Sequence, residues 1–173
     1  MCPLPYRKNC LSDGGEHVVI FVDSREKPRA TSLIMEEFDR QCITHYSTKL
    51  FVGDYNSPSN PNLFIDRKQN LQEVCSNVVQ DHDRFVREIE RANQCGYHVI
   101  VLIEHGGQIR SLPDVIKWKN PRLKKSPLAV SGERLFKIMS TMAGKYGFEW
   151  AFCDKRQTGK KIIEILGGDQ VGS

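Results

Sequence analysis

The chain has 173 residues, of which 39% are hydrophobic and 27% charged, with 13 Gly and 8 Pro. That composition excludes a collagenous, disordered or rod-like protein and fits one domain around one core. No apolar run approaches the ~20 residues of a membrane helix, and residues 1–15 lack the apolar stretch of a signal peptide, so a soluble cytoplasmic protein is expected. The net charge of +4 is unevenly spread. Residues 1–104 hold 12 basic and 15 acidic side chains, a net of −3; residues 105–173 hold 13 and 6, a net of +7. A basic half beside a mildly acidic one suits a polyanion partner together with a cation site. None of the six Cys forms a C-x-x-C pair, so reduced thiols are expected rather than a zinc ribbon.

His17–Asp23 is a short, β-branched apolar run and reads as a buried strand. Thr31–Arg40, after Pro28, has apolar residues at helical spacing. Cys42–Val52 reads as one extended segment closed by Gly53. Residues 56–62 are turn-rich and read as a hairpin-like connection into a strand at Leu63–Lys68. Leu71–Cys95 carries two apolar stripes, a helix with a break near Asp81–Asp83 and a stop at Gly96. Tyr97–Glu104 is a second buried strand. Residues 110–130, with Pro113, Pro121 and Pro127, read as a loop with at most one helical turn. Gly132–Tyr146 follows as a helix, Phe148–Cys153 as a strand and Thr158–Leu166 as a closing helix. This alternation predicts an α/β sandwich with a mixed central sheet flanked by helices.

Acidic residues fall at the ends of these strands: Asp23 and Glu26, Asp54, and Asp66. Asp66 and Lys68 are two residues apart on a strand, so they share a face while Arg67 points away. Carboxylates brought together by adjacent strands make a hard oxygen site suited to Mg²⁺. A lysine beside it can orient or help deprotonate an attacking water, or offset charge developing on a phosphate. Asp66-x-Lys68 alone is a weak signal; the ordered set Asp23-Ser24-Arg25-Glu26, Gly53-Asp54, Ile65-Asp66-Arg67-Lys68 carries the weight.

That set, within residues 18–104, resembles the nuclease domain of the XPF-type structure-specific endonucleases, of the restriction-endonuclease-like superfamily. The resemblance implies a restriction-endonuclease-like three-layer sandwich. It implies a DNA endonuclease using Mg²⁺ or Mn²⁺, with Asp54, Asp66 and Asp23 as metal ligands. Asp23, Glu26, Asp54, Asp66 and Lys68 would be the catalytic set, and Arg25 and Arg67 would have structural or phosphate roles. Two departures stand out: Asp66 replaces the family's usual Glu, and Gln72, with Glu73 beside it, replaces the Asp four residues after the lysine. The paired helix-hairpin-helix module of larger relatives has no counterpart in the sequence, which points to a minimal member of phage or bacterial type, cytoplasmic or nucleoid-associated, in recombination or repair. A homodimer would suit junction or double-strand cleavage. The expected organisation is a flexible segment at 1–15, a single nuclease domain at 16–168 with a basic loop at 108–130, and a tail at 169–173. The alternative reading is a non-catalytic DNA-binding subunit of the same fold.

Given the nuclease resemblance, Lys117, Lys119, Arg122, Lys124 and Lys125, with Trp118 among them, read as a DNA-gripping loop in which the indole stacks a base. The other reading is a solvated loop whose Trp tucks onto the core. Arg84, Arg87 and Arg91 share a helix face, and intrahelical pairing with Asp83, Glu88 and Glu90 is expected. Glu104 either approaches the carboxylate cluster or faces water. Thr158-Gly159-Lys160-Lys161 is P-loop-like only at its end, so no nucleotide cofactor is expected.

Overall fold

In the computed structural model, which describes residues 18–167, the first apolar run forms strand β1 (Val19–Asp23), and helix α1 (Pro28–Arg40) follows it. Pro28 opens α1, where its missing N–H costs nothing. The chain continues through β2 (Thr44–Thr48), β3 (Tyr55–Ser57) and β4 (Asn60–Lys68). Next come α2 (Leu71–Cys75), a π turn at Ser76–Gln80 and α3 (His82–Gln94). Then follow β5 (His98–Glu104), two 3₁₀ turns at Pro113–Lys117 and Pro121–Lys124, α4 (Gly132–Tyr146), β6 (Glu149–Cys153) and α5 (Thr158–Gly167).

The six strands form one mixed sheet in the order β2-β1-β3-β4-β5-β6. β3 is antiparallel to both β1 and β4, whereas β1–β2, β4–β5 and β5–β6 are parallel. α1 and α5 cover one face, packing Ile34, Phe38, Ile162 and Leu166 on Ile20, Ile65 and Leu102. The helical layer of α2, α3 and α4 covers the other, with Leu71, Phe85, Ile89, Leu135 and Met139 on Phe64, Val99 and Val101. The expected three-layer α/β sandwich, a mixed central sheet flanked by helices, is therefore the observed one. Among the described residues no helix is long and apolar enough to cross a membrane.

Two local expectations are corrected. Cys42–Val52 is not one strand: β2 ends at Thr48, and the segment at 56–62 that reads as a turn instead holds the end of β3 and the start of β4, which begins at Asn60. The polar residues that gave it a turn signature are satisfied within the sheet. Asn56 Nδ2 donates to Leu63 O at 2.9 Å, and Ser57 Oγ donates to Val19 O at 2.8 Å. The helix expected over residues 71–95 breaks at the π turn Ser76–Gln80, just before the expected Asp81–Asp83, where the Asp81 amide bonds back to Ser76 O at 3.0 Å. Among the cysteines, Cys75, Cys95 and Cys153 are the expected free thiols, whereas Cys42 is disulfide-bonded. The expected N-terminal segment and C-terminal tail lie outside the described residues.

Candidate active site

The sheet brings four chain segments to one end. β1, β4 and β5 finish there, and the loop entering β3 passes between them. Gly53 makes that passage possible. Its φ is +64°, and a Cβ at this position would stand 2.7 Å from Ile65 O. Only glycine tolerates both demands without strain. The loop then locks onto β4: the Asp54 amide donates to Ile65 O at 2.7 Å, and the Arg67 amide donates to Asp54 Oδ2 at 2.7 Å. Asp54 O in turn accepts from the Asp23 amide at 2.8 Å.

β4 presents alternating faces here. Phe64 and Ile65 enter opposite cores. Asp66 and Lys68 follow the Phe64 face, and Arg67 follows Ile65. Lys68 Nζ pairs with both Asp66 oxygens, at 2.9 and 2.8 Å, in a site that leaves each side chain less than 15% exposed. Burial works against the lysine's charge, but the Asp66 carboxylate, helped by Asp54 and Glu73, holds its pKa above the ordinary value. Asp54 behaves oppositely. Burial, with the charges of Asp66 and Glu26, pushes its carboxyl well above the usual range despite the Arg67 amide and Lys68.

On the other face Arg67 is enclosed. Its guanidinium donates to Glu26 Oε2 at 2.7 and 3.1 Å and to Glu104 Oε1 at 3.1 Å, and only 2% of the side chain is exposed. Its guanidinium is thus turned into the protein, onto Glu26 and Glu104, and not toward solvent. Glu104 is the site-proximal residue of its two readings, joined to the cluster through Arg67, and its Oε2 is buried without a partner. Tyr55, buried beneath Glu26, extends a long 3.5 Å contact to it.

Asp23, expected as a metal ligand, is engaged otherwise. Oδ1 accepts from the Arg25 amide at 2.8 Å and from its Nε at 2.7 Å. Oδ2 accepts from Arg25 Nη2 at 2.8 Å and from the Leu50 amide at 2.9 Å. Burial opposes its charge, but these donors outweigh it and hold the carboxyl below its ordinary value. Asp23 fastens the loop after β1 to the loop before β3, and its lone pairs are spent on that task. Glu73 is likewise occupied in the turn into α2: its amide donates to the Asn70 side chain, and its Oε2 accepts from the Gln69 amide at 2.8 Å.

The basic loop divides. Lys119, Arg122, Lys124 and Lys125 are exposed, and Lys117 is exposed but paired with Asp114 at 2.9 Å. Trp118 is 8% exposed and belongs to the core with Val115 and Leu135, which corrects the base-stacking expectation. An indole among apolar neighbours gains more from burial than from a solvated loop. Arg84, Arg87 and Arg91 do not pair with Asp83, Glu88 or Glu90; Arg84 has only a 4.0 Å contact to Asp81, and Arg91 lies over the Phe51 ring.

Among the described residues no three His, Cys, Asp or Glu side chains converge as a ready metal cage. What the site offers is a pair, Asp54 and Asp66, close enough to couple electrostatically. That fits Mg²⁺, which retains several waters and takes only one or two protein carboxylates beside substrate phosphates. A cation beside Asp54 would offset the burial and the like charges of Asp66 and Glu26 that push its carboxyl up.

No protein-family model and no curated protein matches the chain. Solved structures do, two of XPF among them. XPF from Aeropyrum pernix aligns at a TM-score of 0.56 and 17% identity, covering 83% of this chain and 61% of that one. XPF from Aeropyrum pernix in complex with DNA aligns at 0.61 and 14%, covering 87% and 64%. The chain thus spans about three fifths of the XPF chains it matches. At this identity the likeness is one of fold, and it defines the class: a protein with the XPF-like nuclease fold.

Proposed function

We propose that this protein is a metal-dependent DNA endonuclease of structure-specific type, acting on flap, fork or junction DNA in recombination or repair. The observation that carries the reading is the Asp54, Asp66 and Lys68 cluster at the strand ends of an XPF-like fold. In open α/β sheets, ligand chemistry collects at the carboxyl ends of strands, and a solved protein of this fold is a complex with DNA.

Asp54 and Asp66 would hold Mg²⁺ or Mn²⁺, with Glu26 nearby; bound there, the ion supplies Lewis acidity and a water of lowered pKa. The remaining chemistry belongs to the chain. Lys68, paired with both Asp66 oxygens, is placed to orient the attacking water or offset charge on the pentacoordinate phosphorus. Arg67 neutralises Glu26 and Glu104 and keeps β4 fixed. Asp23 and Arg25 hold the two loops that position Asp54. The exposed lysines of residues 117–125 and Arg25 supply phosphate contacts.

A non-catalytic DNA-binding subunit is the second reading. It is favoured by Gln72 in place of an acid and by Glu73 being spent on the turn into α2. The test is incubation of labelled duplex, flap, fork and four-way-junction DNAs with Mg²⁺, Mn²⁺ or EDTA. Metal-dependent cutting is expected, and the ranking of substrates gives the specificity. Salt-sensitive binding of every substrate with cutting of none establishes the second reading instead.

A further inference from the structure

A second basic surface lies apart from the residue 117–125 loop. A groove of about 570 Å³ runs between the loop after β1 and the exposed face of α3, lined by Arg25, Arg84, Arg87, Arg91, Glu88 and Glu90 among others. Arg84, Arg87 and Arg91 recur at i, i+3 and i+7 on α3, so one helix face presents all three. Their own acidic neighbours do not neutralise them. Arg84 is 72% exposed with a single 4.0 Å contact, and Arg87 is exposed and makes no ion pair among the described residues. Arg91 donates to Phe51 O at 3.3 Å and lies 5.0 Å from the Phe51 ring centre, which ties the groove to the loop carrying Asp54. Arg25 closes the other end. Its guanidinium donates to Asp23, whose amide donates in turn to Asp54 O, so this end of the groove is linked through Asp23 to the loop that carries Asp54.

Exposed guanidinium groups along a concave polar surface, Arg87 with no ion pair among the described residues and Arg84 with only a 4.0 Å contact to Asp81, match the spacing and charge of a phosphodiester chain better than they match a folded protein face. We propose that this groove binds the sugar-phosphate backbone of the DNA strand that enters or leaves the Asp54–Asp66–Lys68 cluster, with Arg84 and Arg87 as its principal phosphate contacts. This assignment rests on the nuclease reading for the identity of the strand. It adds a second phosphate track, on the opposite side of the α3 layer from α5, to the one the sequence suggests at residues 117–125.

The test is binding of a fluorescein-labelled forked duplex in EDTA, titrated between ~50 and ~200 mM KCl. The proteins are wild type, Arg84→Ala/Arg87→Ala, Arg87→Glu and, as a control on the other face of the sheet, Lys160→Ala. Arg91 is left intact because it holds the Phe51 loop. The double variant is expected to lose on the order of tenfold in affinity, and its slope of log K against log salt to shrink by about 2, one per phosphate contact. Arg87→Glu should bind still more weakly, and Lys160→Ala should bind as wild type. Unchanged affinity and slope in both arginine variants would overturn the proposal. So would preferential binding of poly-glutamate over DNA by the wild type, which would make the groove a site for acidic polypeptides. Because binding is read without metal, the two proposals separate. A groove effect without cleavage by the wild type removes only the nuclease reading, and cleavage without a groove effect removes only this one.

Discussion

The main-chain amide of Arg67 donates to Asp54 Oδ2 at 2.7 Å, so the strand that carries Asp66 and Lys68 also fixes the carboxylate facing them. One strand thus sets the cluster on one face and, through the Arg67 guanidinium, anchors Glu26 and Glu104 on the other. The site is built by alternation along three residues of β4, and its chemistry and its scaffold are inseparable in sequence.

The first consequence concerns Asp54 and pH. Its folded pKa lies above its ordinary value of 3.8. Between those two values the folded chain binds a proton that the unfolded chain lacks, so stability falls as pH rises through the window. Asp54→Asn keeps an acceptor for the Arg67 amide and removes the charge. In EDTA at about pH 7 this variant should melt about 2–4 °C higher than wild type, and the gain should vanish near pH 4. Thermal melts at both pH values check it. A variant that melts lower at neutral pH would contradict the raised pKa of Asp54.

Lys68→Ala should cost about 10²–10³ in the rate of DNA cleavage, the usual loss for a preorganised electrostatic group. Lys68→Arg should not restore it, because a planar fork cannot replace a compact ammonium held between Asp66 and the reacting phosphate. If Lys68 acted as a base, the wild-type rate would rise with pH up to the lysine pKa. With a protonated Lys68 that rise should be absent.

Arg67→Met should destabilise the fold by about 3–5 kcal/mol, because it leaves the buried Glu104 and the partly buried Glu26 without compensation. Urea unfolding measures this, and the added substitution Glu104→Leu should recover part of the loss. A cost below about 1 kcal/mol would mean that the arginine is not the hub the geometry makes it.

Trp118 separates core from interface. Trp118→Ala should lose about 3–5 kcal/mol of stability, as a large aromatic leaves a cavity. Trp118→Phe should bind DNA as wild type does, since the ring never reaches the ligand. Lys119→Ala/Lys124→Ala should do the reverse, weakening binding while the melting temperature holds.

Much of this was legible in the residues. The apolar runs located β1, β5 and α4, and the i, i+2 rule correctly put Asp66 and Lys68 on one face with Arg67 opposite. What could not be read was how polar groups would be satisfied. β3 hid behind a turn-like composition because Asn56 and Ser57 bond within the sheet. Asp23 looked like any strand-end acid until Arg25 and the Leu50 amide, far along the chain, closed around it. Trp118 sat in a basic string whose register against the core is set by packing of the 113–118 turn on α4. The arginines of α3 had acidic neighbours at pairing distance in sequence, yet their side chains turn toward the groove. A non-local partner enters most of these cases: Val19 O for Ser57, the Leu50 amide for Asp23, α4 for Trp118 and Phe51 for Arg91.

The proposed role of Asp54 and Lys68 in DNA cleavage is tested most directly by single-turnover cleavage of a labelled forked duplex by wild type, Asp54→Ala and Lys68→Ala, each in Mg²⁺ and in EDTA. The expected result is cleavage by the wild type in Mg²⁺ alone and a loss of at least ~10² in both variants, with DNA binding retained. Full activity in both variants, or wild-type cleavage undiminished in EDTA, would contradict it.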